Sequence, residues 1–405
     1  MKAAGVRGRA SFRWLTLSVL GFGLASFLSD MGHEAATSAL PALLIALGSA
    51  PAALGIIEGV SDGLSSFAKL FGGWLADRPR ARKPIAVGGY LVTGLSVGMF
   101  GLATSWLHIA LARSVGWLAR GLRGPARDAM LADAVPREAL GRAFGFHRAM
   151  DTAGAVAGPL LAALLLSAIP LRAVFWWCLV PGILSAVVFA LLVKPVDGRE
   201  GEKPQAFWRS LAALPRPFRK FLLAVFLFGL GDFARTLLIL RATQLLEPGM
   251  GAVKATTIAI VLYGVHNVFY AAASYPVGHL ADRLDPRKLL VLGYGIGVAT
   301  AILAAFATPS IPVLAVLFVA GGLTLAFEDT LEGTLTAHGV PTSLRGTGYG
   351  VLAATNGVGD LFSSILVGLI WTAAGPAAAF SVAALLCLSG MVVLAFTREA
   401  RRGPM

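Results

Sequence analysis

The stretch Gly73-Trp-Leu-Ala-Asp77-Arg78, followed by Arg82-Lys83, returns later in the chain as Gly278-His-Leu-Ala-Asp282-Arg283, followed by Arg287-Lys288. Asp282 stands 205 positions after Asp77, and Lys288 the same distance after Lys83. Other pairs keep that offset: Pro136 with Pro341, Gly141 with Gly346, Gly145 with Gly350, Gly154 with Gly359. One unbroken offset over so much sequence reads as an internal duplication. Each copy is far longer than a solenoid unit, so the chain is expected to be two halves of one fold.

The sequence around the two copies is apolar. Of 405 residues 57% are hydrophobic and 14% charged. A membrane-crossing helix takes roughly 20 mostly apolar residues. Residues 85–107 and 289–307 carry no charge at all. Long apolar runs, rather than short alternating segments, indicate helices and not a transmembrane barrel. Twelve helices fit, at 13–46 (bent at Pro41), 51–77, 84–104, 106–134, 142–168, 172–193, 220–246, 252–281, 289–307, 311–337, 345–371 and 376–396. The polar stretch at 194–219, rich in Pro and Gly, reads as the linker. The expected organisation is an all-α polytopic membrane protein: a six-helix bundle at 1–193, a cytoplasmic linker at 194–219 and a second six-helix bundle at 220–405, pseudo-symmetric around a central cavity.

The formal net charge of +13 does not call for nucleic acid. In this topology 24 of the 34 basic residues fall in the terminal segments and the loops on their side, while the opposite loops hold only Arg172, Arg241 and Lys254. That asymmetry is the positive-inside rule. It places both termini in the cytoplasm and the chain in the cytoplasmic (inner) membrane. The expected partners are the lipid bilayer and a small-molecule or ion substrate, with protons as coupling ion and the protein acting as a monomer. Cys178 and Cys387 lie in apolar runs and read as packing residues. No nucleotide-binding loop of the Walker type occurs, so neither ATP drive nor a cofactor is expected.

Two parallel six-helix repeats related by an axis along the membrane normal resemble the major facilitator superfamily over nearly the whole chain. The Gly-x-Leu-Ala-Asp-Arg stretch is similar to that family's loop between helices 2 and 3, here repeated between helices 8 and 9. Both copies depart from it at Arg80-Ala81 and Asp285-Pro286, where the family carries Gly-Arg. The resemblance implies that Asp77, Arg78, Asp282 and Arg283 latch the cytoplasmic side closed; they also suit a plain topology anchor. Helix 5, with Gly145, Gly154 and Gly158-Pro159, resembles the superfamily's antiporters, although Ala162-Ala163 replaces the usual closing Gly-Gly. The resemblance implies alternating access, and export by antiport.

Ionisable residues at membrane depth are functional-site candidates by default. Asp30, His33 and Glu34 share one face of helix 1. They suit proton coupling, a divalent metal site, or a polar network satisfied by neighbouring helices. Asp62 in helix 2 joins the coupling candidates; Glu58, nearer the outer end, reads as exposed. Arg113, Arg148, Asp151, Asp232, Arg235, His266 and Asn356 are the cavity candidates. Under the 205-residue offset, Arg123 corresponds to Glu328 and Arg127 to Glu332. These four could close an inner gate across the halves, or each could pair within its own half. The substrate's charge is open, because arginine-rich helix 4 hints at an anion and helix 1 at a cation. The expected function is secondary active transport of a small solute, as proton-coupled efflux. The alternatives are uptake of a divalent metal or organic anion, and a sensor or assembly factor on a transporter fold. No nucleophile–base pair suggests an enzyme.

Overall fold

The structure, a computed structural model, describes residues 14–76, 79–136, 139–195, 213–341 and 344–397. It is built of helices, with no strand among the described residues. The first six are α1 (Leu17–Ala46), α2 (Pro51–Ala76), α3 (Pro79–Met99), α4 (Trp106–Asp133), α5 (Leu140–Ala168) and α6 (Leu171–Leu192). The seventh comes in two pieces, α7a (Arg216–Gly229) and α7b (Arg235–Met250). Then follow α8 (Ala252–Ala281), α9 (Pro286–Phe306) and α10 (Ile311–Gly339). The final stretch, Arg345–Phe396, breaks at Gly375, whose φ of 85° lies in the left-handed region that favours glycine. It thus forms α11 (345–374) and α12 (376–396).

Helix 7 departs from the expected continuous span at 220–246. It unwinds between Gly229 and Arg235, where the sequence reads Gly229-Leu-Gly231-Asp232. A Cβ at Gly231 would sit 2.7 Å from the Cys387 backbone nitrogen, so only glycine lets the chain pass this close to α12. In a membrane, backbone groups freed by such a break need partners. Two serines of α11 supply them. Ser363 Oγ donates to the Asp232 carbonyl at 2.7 Å, and the Ala234 N–H donates to Ser364 Oγ at 3.1 Å. The break holds Asp232 and Arg235 facing the centre of the protein.

Seven stretches of the described residues are long and apolar enough to cross a membrane by that measure alone, the last spanning α11 and α12 together. The helices outside that set are α1, α2, α4 and α7, which carry much of the charge that lines the centre.

The core is divided unequally along the membrane normal. At the end away from the termini, one buried apolar cluster runs without interruption through both sets of six helices, from Ala35–Leu44 of α1 to Leu237–Leu246 of α7b and Phe380 of α12. At the end that carries the termini there are two separate clusters. One, around Phe22, Tyr90 and Phe189, belongs to α1–α6; the other, around Phe218, Phe228 and Tyr294, belongs to α7–α12. The halves are therefore packed together at the far end and parted at the basic end.

The far-end seal is made mainly by α2 against α11. A Cβ at Gly55 would collide with the Ser364 carbonyl, and one at Gly368 would stand 3.0 Å from the Pro51 carbonyl. The Ala52 N–H donates across the seam to Thr372 Oγ1 at 2.9 Å. Close backbone approach of this kind is how helices associate in lipid, where no hydrophobic drive separates one from another. Gly55→Leu is expected to wedge this seam open. Labelling of a cysteine placed at Ala52 by a membrane-impermeant maleimide should then rise several-fold from the far side; unchanged labelling would show that the seam is not the seal.

Candidate functional site

A cavity of about 440 Å³ lies where the two halves meet. It is lined from α1 by His33, Glu34 and Thr37, from α2 by Glu58, Asp62 and Lys69, and from α4 by Arg113 and Trp117. The other half contributes Asp232, Phe233 and Arg235 from the helix 7 break, Tyr263 from α8, Glu328 and Asp329 from α10, and Asn356 and Asp360 from α11. Of the residues singled out in the sequence, His33, Glu34, Asp62, Arg113, Asp232, Arg235, Glu328 and Asn356 all reach it.

On the α1–α6 side the charges are paired locally. Arg113 donates through Nη2 to Glu58 Oε2 at 2.5 Å and through Nη1 to Thr37 at 3.2 Å, with its guanidinium 3.9 Å above the Trp117 ring. Trp117 Nε1 donates to Asp62 at 2.7 Å. His33 lies edge-on to Trp117, and its Nε2 is 3.6 Å from Glu34. Glu58, expected to be exposed near the outer end, is 3% exposed, because the far end is where the halves close over it. Asp30 does not join His33 and Glu34. It turns instead to Arg120, 3.1 Å away. Among the described residues no three His, Cys, Asp or Glu side chains could hold a metal ion, so the metal reading of the helix 1 cluster gains no support.

The other half is arranged differently. Asp232 and Arg235 form a two-pronged pair at 2.7 and 3.0 Å. Asp329 accepts from the Tyr270 hydroxyl at 2.7 Å. Glu328 is 8% exposed, lines the cavity, and has no hydrogen-bond or ionic partner among the described residues. His266 is buried beneath the cavity wall and bonds to Asn267 at 3.0 Å.

Cross-half bonds sit above and beside the cavity. The Tyr263 hydroxyl of α8 donates to Glu34 Oε2 of α1 at 2.9 Å. Asn267 Nδ2 donates to the Ala155 carbonyl of α5 at 2.7 Å. The glycines of α5 serve a different contact. Gly154 and Gly158 press α5 onto α1, where a Cβ at Gly158 would stand 2.7 Å from that of Glu34. Further towards the basic end, α5 and α8 diverge around a second cavity of about 1130 Å³. Arg148 lines this one, with its side chain 77% exposed and 3.7 Å from Asp151, and neither residue lines the central cavity.

The four expected gate residues do not meet across the halves. Arg123 donates to Ser29 at 2.9 Å and lies 3.9 Å over the Tyr90 ring. Arg127 binds Asp128 at 2.9 Å. Glu332 accepts from Tyr294 at 2.6 Å and from Asn356 at 2.8 Å. The basic end is parted, so Arg123, Arg127 and Glu332 find partners within their own halves, while Glu328 is left without one among the described residues. Asp282 and Arg283 are exposed there and form no ion pair among the described residues. Asp77 and Arg78 lie outside the described residues.

Some members of the site carry little signal in a sequence. Trp117 and Tyr263 bear no charge, yet their N–H and O–H groups fix two carboxylates. Asp360 and Lys69 gain meaning only once α2 and α11 are seen side by side.

The sequence pattern of the Major Facilitator Superfamily matches residues 22–265 and 250–404. The chain is 28% identical over 387 residues to an uncharacterised MFS-type transporter of Methanocaldococcus jannaschii, covering 94% of this chain and 95% of that one. It is 26% identical over 357 residues to the multidrug resistance protein MdtG of Serratia proteamaculans, covering 84% and 81%. Among solved structures, that of the nucleoside transporter NupG superposes with a TM-score of 0.78 at 13% identity, over 94% of this chain and 98% of that one. A bacterial homolog of the human lysosomal transporter Spinster, in an inward-facing and unoccupied conformation, gives a TM-score of 0.69 at 17% identity, over 97% and 95%. With twelve helices, a duplicated loop motif and a polar cavity between two matched halves, this multi-pass membrane protein belongs to the major facilitator superfamily.

Proposed function

We propose that the chain is a secondary active transporter that exchanges protons for a small solute and moves that solute outward from the basic face. The bundles at 1–193 and 220–405, tethered by 194–219, rock about the central cavity. The surplus of basic residues at the open end supports a cytoplasmic location for that end and for both termini. The chain works as a monomer, since the cavity is complete within it.

One observation carries the coupling. Seven carboxyl groups line the cavity, against the three cations Lys69, Arg113 and Arg235. Four carboxyl groups are left without a cation. Whenever the cavity closes away from water, so much negative charge has to be balanced. Protons or a bound solute can balance it, and the two then compete for one site. Competition of that kind is antiport. Glu34 joins this chemistry to movement, because the same carboxylate accepts the Tyr263 bond across the halves. The resemblance to MdtG favours export as the direction.

The purified protein in proteoliposomes tests the reading. With a pH gradient imposed, a transported solute should accumulate uphill, against the direction of proton flow. A protonophore should abolish accumulation. Accumulation that survives the protonophore would remove proton coupling, and no flux for any solute across a broad panel would favour a sensor.

A further inference from the structure

We propose that the cavity wall formed by the helix 7 break, α10 and α11 binds a hydrophobic organic monocation, whose positive charge is held by Glu328 and Asp360. This rests on the transporter reading and names its substrate class.

The arginines of α4 do not offer an anion site. Arg113 is committed to Glu58, Arg120 to Asp30 and Arg127 to Asp128, and Arg123 is stacked on Tyr90 and bonded to Ser29. On the opposite wall Arg235 is committed to Asp232. The conflict between an anionic and a cationic hint is therefore resolved by local pairing: the arginines are spent within the protein, whereas the carboxyl groups of Glu328 and Asp360 are not bonded among the described residues. Glu328 is the clearest case. It is more than nine-tenths buried, faces the cavity and has no partner among the described residues. A buried, unpaired carboxyl group costs free energy unless something balances it. Asp360 lines the same cavity and its carboxyl group accepts no hydrogen bond among the described residues; Asp232 and Arg235 lie within electrostatic range of both, and Lys69 within range of Asp360.

The shape favours an organic ion over a bare metal. About 440 Å³ is the size of a small-molecule site. Phe233 and Tyr263 add aromatic rings to the cavity lining, and such rings attract a desolvated cation through the ring quadrupole.

The test uses the full chain in detergent, with tetraphenylphosphonium as probe and tetraphenylborate as its anionic twin of the same shape. Equilibrium dialysis should show tetraphenylphosphonium bound one to one and weakened at least about tenfold on lowering the pH from about 8 to 5.5, with tetraphenylborate bound at least about tenfold more weakly. Glu328→Gln and Asp360→Asn should each weaken the cation at least about tenfold. Neither carboxyl group anchors a described neighbour, so both variants should keep the parent's melting temperature. Lys69→Gln removes a positive charge from the same cavity and should leave the affinity equal or tighter. Equal binding of the two probes, or cation affinity within twofold of the parent in both carboxamide variants, would overturn the proposal. Binding is read without flux, so the two readings fail separately. Tight cation binding with no proton-driven flux would sink antiport and keep the site. Proton-driven flux of anions alone would sink the site and keep the transporter.

Discussion

Replacing Arg113 with methionine is expected to cost about 3–5 kcal/mol of stability, the scale on which a buried ion pair suffers when one partner is removed. Arg113 and Glu58 are 2% and 3% exposed and share a direct bond. Glu58 would be left as a lone carboxyl group beside Leu54 and Ile57, both fully enclosed. The guanidinium also fills space that a shorter cation cannot. It spans from Thr37 on α1 to Glu58 on α2 while sitting 3.9 Å over the Trp117 ring. Lysine has a point charge and no planar face, so Arg113→Lys is expected to be only a partial rescue. The diagnostic variant is the double one. Glu58→Gln with Arg113→Met removes both charges, and should recover most of the loss, because exchanging a buried pair for neutral groups of similar volume is often near neutral. Thermal unfolding followed by size-exclusion chromatography in detergent reads all four proteins. Equal losses in single and double variants would mean that packing, and not charge balance, holds this corner together.

The same corner marks the limit of what the residues alone could say. Asp77-Arg78 and Asp282-Arg283, with their constant offset, were enough to read two matched halves, and apolar run length was enough to read helices. Both signals are local and repeated. The break in helix 7 was less legible, although Gly229-Leu-Gly231-Asp232 is there to be read. Glycines in membrane helices more often permit close packing than unwinding, and here Gly231 does both. The serines that make the break tolerable, Ser363 and Ser364, sit 130 residues away, and no periodicity connects them to it. Partner choice was legible least of all. The offset pairs Arg123 with Glu328, yet correspondence under a repeat is not contact. Arg123 turned to Ser29 and the Tyr90 ring, and Glu332 to the Tyr294 hydroxyl, neutral groups that a count of charges passes over.

The second large effect is expected at Glu34. Glu34→Gln should lower proton-driven accumulation on the order of 100-fold, the scale on which loss of a proton-handling group acts in a site that depends on it. The side chain keeps its shape. Its amide oxygen can still accept from Tyr263, so the cross-half bond survives, but the group can no longer take up or release a proton. Counterflow needs only the cavity to change access with solute bound, and should stay within a few-fold of the parent. Tyr263→Phe separates the two duties of this contact. It leaves a titratable carboxyl group at position 34 and removes the bond at 2.9 Å that ties α1 to α8. Coupling should persist in that variant, while the far end opens more readily and maleimide labelling from that side rises. Full proton-driven accumulation in Glu34→Gln would move the coupling role to the Asp30–Arg120 pair, the other charged contact that α1 makes at this depth. Asp30→Asn would then be the variant that abolishes the pH dependence.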